Sequence, residues 1–397
     1  MAIVVLTEAP FPFGLGATSR ILSYSRGFVE SGRSVSVFVL RPTASAFPGP
    51  PDTPLRGSYE GISYVHCSGR LTKPPGTLRR YYAAFRGLLA SVPLLWRLRT
   101  AHRLECFILV SNSALDILFF FVMSRLLRVR YVQEKSEFPF VTQRRSLLGR
   151  LYAHIYTTYL YRAFDGLFVM TSALYEYFAP RLRGDAKLIV VPMTVEVDRF
   201  SQSPETGTER EAYVAYCGDM SGDKDGVDTL IEAFAVVAAR YPDLRLYLVG
   251  DSSQPSEYQK LQSLVAELGL AQRVVFTGRL ARELIPRILS RATVLALARP
   301  STLQSKGGFP TKLGEYLSTG RPVVVTRVGE LDQHLEDGTD VFFAEPDSHV
   351  AFAEKLDYVL SHLGLAEEVG RAGQEVARTT FDYKAQSTRL LDFIDSL

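Results

Sequence analysis

Short apolar, β-branched runs alternate with stretches of helical periodicity along almost the whole chain. The runs at 2–7, 34–40, 62–66, 105–110, 129–133 and 165–170 make a first series; 213–216, 244–249, 273–276, 293–297 and 322–325 make a second. Runs that are apolar at nearly every position belong to strands buried on both faces, and strands alternating with helices pack as parallel sheets covered by helices. A chain of 397 residues exceeds the usual size of one core, so two domains are expected. The polar stretch Ser201 to Arg210, after Val191-Pro192-Met193, reads as the linker. The expected architecture is α/β: two doubly wound domains, 1–194 and 195–380, facing each other across a cleft. From Val350 onward the pattern is almost wholly helical, and 381–397 forms a terminal helix with Leu390, Leu391, Phe393 and Ile394 on its apolar face.

Composition removes several function classes. Hydrophobic residues at 47% and charged residues at 22% are ordinary for a soluble globular protein. Three cysteines far apart form no disulfide framework, which fits a reducing cytoplasm, and six scattered histidines offer no metal spacing. The chain opens directly on a strand, without the basic leader of a signal peptide. Its longest apolar stretch, Ile117 to Met123, is far too short to span a bilayer. The net charge of +3 hides a division: residues 1–200 carry +12 and residues 201–397 carry −9. Two oppositely charged halves have surfaces suited to different partners.

The densest motif is G-G-F-P-T-K-L-G-E-Y-L-S-T-G-R-P-V-V-V-T at 307–326. Gly307 and Gly308 allow close approach of backbone to a ligand, and Pro310 suits the first turn of the helix that follows. Phe309 and Thr311 flank that proline. A glycine-rich loop entering a helix presents free N–H groups and a positive dipole end, and Lys312 adds a full charge there. Glu315 supplies an acceptor one turn on. A second glycine-rich loop, Gly218 to Gly226, carries Lys224 just before a helix at 226–240. Turns at 248–251, 276–280 and 298–306 (with Gly278, Arg279 and Gln304) also follow strands of the second series. In the first series, Gly14-x-Gly16 follows the opening strand, but Ser19 replaces a third glycine and no acidic residue closes the next strand. That departs from a dinucleotide fingerprint, and no G-K-[ST] makes it a P-loop.

The 307–326 block resembles the donor segment of family 4 retaining glycosyltransferases, whose two Rossmann-like domains form the GT-B architecture. The resemblance implies that Glu315 holds the donor ribose. The family's second glutamate, eight residues earlier, is replaced here by Gly307. Lys224 matches the lysine that neutralises the leaving pyrophosphate. The arginine that many members carry after the first glycine is replaced by Asp219, leaving Lys312 and the helix dipole, or Arg20, Lys306 or Arg279, to make up the charge. Gly16, Gly218, Gly278, Arg279, Gln304, Gly307, Gly308, Phe309, Pro310 and Thr311 would complete the donor site. Arg20, Glu134 and Glu137 would face the acceptor on the first domain, and the terminal helix would return to that domain. The implied reaction moves a hexose from a nucleoside diphosphate sugar, UDP before GDP, to a saccharide or lipid-linked acceptor in cell-surface polysaccharide synthesis. In the front-face mechanism proposed for the family, the departing phosphate takes the acceptor proton. No metal or other cofactor is implied. A sugar-nucleotide 2-epimerase and a catalytically silent sugar-nucleotide binder are the alternatives.

Two segments have open readings. Lys135, beside Glu134 and Glu137, reads either as part of the acceptor region or as half of a surface salt bridge. Residues 78–103 place Leu78, Tyr81, Tyr82, Phe85, Leu88, Leu89 and Val92 at helical spacing, with six arginines and with Pro93 bending or ending the helix. Either the aromatic stripe packs on a sheet with the arginines in water, or the segment meets an anionic membrane surface from the cytoplasmic side. No nucleic-acid motif accompanies the charge.

Overall fold

The computed structural model describes residues 1–47, 49–50, 52–101, 104–139, 146–201, 211–221, 224–252 and 254–397. The expected linker lies almost entirely outside the described residues. The chain divides into two compact units, Met1–Pro192 with Tyr383–Leu397, and Met193–Asp382.

The first unit is built on strands β1 (Ala2–Thr7), β2 (Ser34–Val39), β3 (Arg56–Tyr59), β4 (Ile62–His66), β5 (Leu104–Val110), β6 (Arg130–Lys135), β7 (Gly166–Val169) and β8 (Lys187–Val190). They form one sheet in the order β3-β4-β2-β1-β5-β6-β7-β8, parallel except for β3 against β4. In β1, Val4 stands opposite Ser36 on one side and Phe107 on the other, and the whole strand is buried. Helices α1 (Gly16–Glu30), α2 (Thr77–Ala101), α3 (Ala114–Leu127), α4 (Leu147–Tyr159) and α5 (Ser172–Phe178) connect the strands. Right-handed crossovers put α1 on one face and α2, α3 and α4 on the other.

The second unit has β9 (Tyr213–Cys217), β10 (Arg245–Val249), β11 (Val274–Gly278), β12 (Val294–Leu297), β13 (Val323–Thr326) and β14 (Phe342–Ala344). All are parallel, in the order β11-β10-β9-β12-β13-β14. Its helices are α6 (Asp198–Ser201), α7 (Val227–Ala238), α8 (Pro255–Glu267), α9 (Ile285–Arg291), α10 (Leu303–Gly307), α11 (Thr311–Ser318), α12 (His349–Ser361) and α13 (Leu363–Val376). The last helix, α14 (Tyr383–Asp395), belongs to the first unit. There Leu390, Phe393 and Ile394 join Ile21, Tyr24 and Phe28 of α1 and Val5, Val37 and Phe168 of the sheet in one core.

Three expectations are corrected. α2 does not end at Pro93 but continues to Ala101. The carbonyl that loses its partner is that of Leu89, an exposed residue, so the loss falls on the side of the helix open to solvent. The aromatic stripe of α2 does not lie on the sheet. Leu88 is buried, but Leu78, Tyr81, Tyr82, Phe85 and Leu89 are exposed, and the buried face consists mainly of Ala83, Gly87, Ser91 and Leu95. A Cβ on Gly87 would lie 1.8 Å from the Leu40 carbonyl oxygen, so the small residues are what let α2 seat. Lys135 is no surface residue. β6 extends two residues past the expected run and carries Lys135 inside, where it donates to Asn112 Oδ1 and lies 5.4 Å from the Tyr161 ring centroid.

Candidate anion site in the second unit

The order of the second sheet reverses between β9 and β12, and ligands of doubly wound sheets bind where such a reversal opens the strand ends. Three glycines build that spot. A Cβ at Gly218, just past β9, would lie 1.9 Å from Cε of Lys312. One at Gly250, past β10, would meet the Gly218 carbonyl oxygen at 2.0 Å. Gly226 has φ +61° and its Cβ would meet the Ala298 carbonyl oxygen at 2.0 Å, so α7 begins hard against the end of β12.

Lys312 fills the slot left by Gly218. It projects from the first turn of α11, whose N-cap is Pro310 and which has no side-chain cap. Its ammonium pairs with Asp225 at 2.5 Å and lies 5.8 Å from the Tyr216 ring centroid. Tyr216 donates to the same Asp225 at 2.8 Å. Burial works against the charge on Asp225, but Lys312 and these hydrogen bonds hold its carboxyl below the usual carboxylate range. Tyr316 fixes α11 to the strand end: its hydroxyl accepts from the Cys217 N–H at 2.7 Å. Glu315, one turn from Lys312, receives a long contact from Arg199 at 3.4 Å. Arg199 also donates to the Arg282 carbonyl at 3.0 Å, and Arg282 pairs with Glu196 at 2.9 Å. The result is a half-buried ammonium at an uncapped helix start, with a carboxylate one turn away. An ammonium and free N–H groups have the chemistry to meet an oxyanion, and the carboxylate that to accept from hydroxyls.

The remaining expected residues divide. Lys224 is exposed at the turn before α7, on the loop that carries Asp225. Gly307, Gly308 and Pro310 are buried, while Gln304 and Thr311 are half-buried. Phe309 turns inward, where its ring packs 5.7 Å from His334 and 5.4 Å from Phe381. Segment 298–306 is more than a turn: Thr302 and Ser305 form a capping box that starts α10, a T-x-x-S spacing present in the sequence. Gly278 has φ +67° and its carbonyl accepts from the Gly250 N–H at 3.1 Å; Arg279 and Lys306 are exposed. In the first unit, Gly16 opens α1. Arg20 and Glu134 form a buried ion pair, and Arg20 also donates to the carbonyls of Pro192 (2.7 Å) and Val191 (2.9 Å). Arg20 therefore braces its own unit. Glu137 is half-buried beyond β6. Asp225, Tyr216 and Arg199 were not singled out as site residues, although D-K-D-G before a helix marks Asp225. Among the described residues no three His, Cys, Asp or Glu side chains converge as a metal site.

Residues 211–362, which include Gly218, Lys224, Asp225, Lys312 and Glu315, match the family described as glycosyl transferases group 1. That match lies wholly within the second unit. Mannosylfructose-phosphate synthase of Agrobacterium fabrum is 29% identical over 175 residues, covering 43% of this chain and 37% of the relative. A GDP-mannose-dependent α-(1-6)-phosphatidylinositol monomannoside mannosyltransferase of Mycolicibacterium smegmatis is 27% identical over 228 residues, covering 55% of this chain and 58% of the relative. These matches thus span between about a third and three fifths of the relatives' own lengths. The fold of the whole chain is GT-B. Sucrose-phosphate synthase of Thermosynechococcus elongatus superimposes with TM-score 0.76 at 17% identity, covering 100% of this chain and 98% of that one. Anabaena HepE, solved in complex with UDP-glucose, superimposes with TM-score 0.72 at 18% identity over 100% of both chains.

Proposed function

We propose that the chain is a retaining glycosyltransferase of the family 4 type, transferring a hexose from a nucleoside diphosphate sugar to a saccharide or lipid-linked saccharide. The observation that carries this reading is Lys312, seated by Gly218 at the uncapped start of α11 at the strand-order reversal. In the proposed reaction Lys312, Lys224 and the α11 N–H groups stabilise negative charge growing on the diphosphate as the glycosidic bond to it breaks. Preorganised donors of this kind contribute about 2.7–4 kcal/mol each to the barrier. Glu315 holds the ribose, with Arg199 setting its carboxylate. The departing phosphate takes the proton of the attacking hydroxyl, so no protein base is required. Lysines and amides neutralise the diphosphate in place of a metal ion. The acceptor is assigned to the first unit, and contact of 78–103 with an anionic membrane surface belongs to the same reading.

The test is release of nucleoside diphosphate with and without a panel of saccharide and lipid-linked acceptors. Acceptor-dependent release, reduced tenfold or more (about 1.4 kcal/mol) by Lys224→Ala and by Glu315→Gln, is expected. A 2-epimerase converts the donor without acceptor, and a silent binder holds the donor without turnover. Unchanged kinetics in both variants would remove the site assignment.

A further inference from the structure

The outward face of α2 carries a second apolar surface. Leu78, Tyr82, Phe85, Leu89 and Trp96 follow one another at spacings of four, three, four and seven, which align on one side of a helix. All five are exposed, from 51% at Leu89 to 85% at Leu78. The stripe runs for roughly 27 Å along the helix. It lies about opposite the small-residue face that seats α2 on its sheet. α3, which packs against α2, continues the surface with exposed Leu115, Leu118, Val122 and Leu126. α4, on the same side of the sheet, presents exposed Leu147, Leu151, Ile155 and Tyr159 at every fourth position. Exposed apolar rows on three helices of one sheet face are more than water-facing side chains of a soluble protein normally make.

Charge decides what covers it. α2 contains no Asp or Glu and carries Arg79, Arg80, Arg86, Arg97 and Arg99. Arg79, Arg86 and Arg97 fall on one line along the edge of the stripe, where long stems lie on apolar surface while guanidinium groups reach outward. A second copy meeting this face about a two-fold axis would set arginines against arginines. Single-stranded nucleic acid fits the arginines but stacks on aromatic rings, and much of the surface is leucine. A bilayer with anionic headgroups matches both parts, because aromatic rings favour the headgroup level and arginines pair with phosphates. We infer that the first unit docks on an anionic lipid bilayer through the outward face of α2, with Tyr82, Phe85, Leu89 and Trp96 at the headgroup–acyl boundary and Arg79, Arg86 and Arg97 on lipid phosphates. This deepens the membrane contact proposed above, replacing simple charge attraction with insertion of an apolar stripe.

Trp96 is the single tryptophan of the chain, so intrinsic emission reports on this face alone. The full chain is titrated with phosphatidylcholine vesicles with and without phosphatidylglycerol. A saturable blue shift and quenching by brominated acyl chains are expected with phosphatidylglycerol, with weaker binding at high salt. The triple variant Arg79→Gln, Arg86→Gln, Arg97→Gln should weaken vesicle binding by about a hundredfold. Phe85→Ser with Leu89→Ser, which keeps every arginine, should weaken it at least tenfold. Unchanged emission with phosphatidylglycerol vesicles overturns the inference, as does equal binding to phosphatidylcholine alone. A shift that appears without lipid as protein concentration rises, or only with an oligonucleotide, also overturns it by naming a different occupant. Donor binding measured without lipid should be the same in all these surface variants, which separates failure here from failure of the transferase reading.

Discussion

Lys312 owes its place to side chains that are missing elsewhere. Gly218→Ala puts a methyl where its Cε now lies, so Lys312 has to leave Asp225 or the strand end has to move. Nucleoside diphosphate affinity, measured by calorimetry, is expected to fall at least tenfold in that variant while α/β content by circular dichroism stays the same. Gly218 and Lys312 were legible as a pair of motifs, because glycines and a lysine at helix starts have few other uses. Asp225 and Arg199 were not, since each gains its meaning from a partner distant in sequence; Lys312 is 87 positions from Asp225. For Phe309, adjacency to the motif did not say which way the ring points, and it packs against His334 and Phe381. Lys135 carries a prediction of its own. Burial disfavours its charged form and lowers its pKa to about 7, only partly opposed by Glu8. The unfolded chain then binds the extra proton between about pH 7 and the ordinary lysine range, so the cost of burying Lys135 is complete below pH 7 and is relieved as pH rises, by about 1.4 kcal/mol per pH unit. Lys135→Met is expected to raise Tm at pH 6.5 and to lose that advantage steadily toward pH 9.5. A Tm difference that does not change with pH would contradict this.

Helices and strands were legible where their residues repeat and obscure where they do not. The core strands of both sheets follow unbroken β-branched runs. β3, with the sequence R-G-S-Y, has no apolar run, and β14 has three residues, too few for a pattern to show. α2 shows the opposite failure. Its periodicity was visible, but an apolar stripe does not reveal whether it faces a sheet or the outside, and the deciding signal was the run of small residues on the other side. The α1–α14 contact gives the clearest test at this scale. A Cβ on Gly27 would lie 2.3 Å from Ser387 Oγ and 2.4 Å from its Cβ. Tyr383 meanwhile donates to Glu30 at 2.8 Å. Gly27→Ala should therefore push the two helices apart and cost about 1–3 kcal/mol. The expected result is a lower Tm that Ser387→Gly partly restores. Leu390→Ala, which empties a fully buried site under α14, should cost about 2–5 kcal/mol by the same measurement.

For the whole molecule, the alternation of strand and helix signals was enough for the α/β class, and the position of the order reversal in each sheet was not, because pairing between strands distant in sequence leaves no local trace. The charge division has a structural counterpart. The basic first half contains the arginine-edged face of α2, and the acidic second half contains the stretch similar to group 1 glycosyl transferases, with Lys312 in it. The central claim is that the second unit grips a nucleoside diphosphate through Lys312 at the start of α11. Titration calorimetry of UDP and of GDP into the full chain and into Lys312→Ala tests it most directly. At least one nucleotide should bind the native chain, and the variant should bind it more weakly by a hundredfold or more (about 2.7 kcal/mol). Binding of neither nucleotide to the native chain, or equal affinity in the variant, would contradict the account.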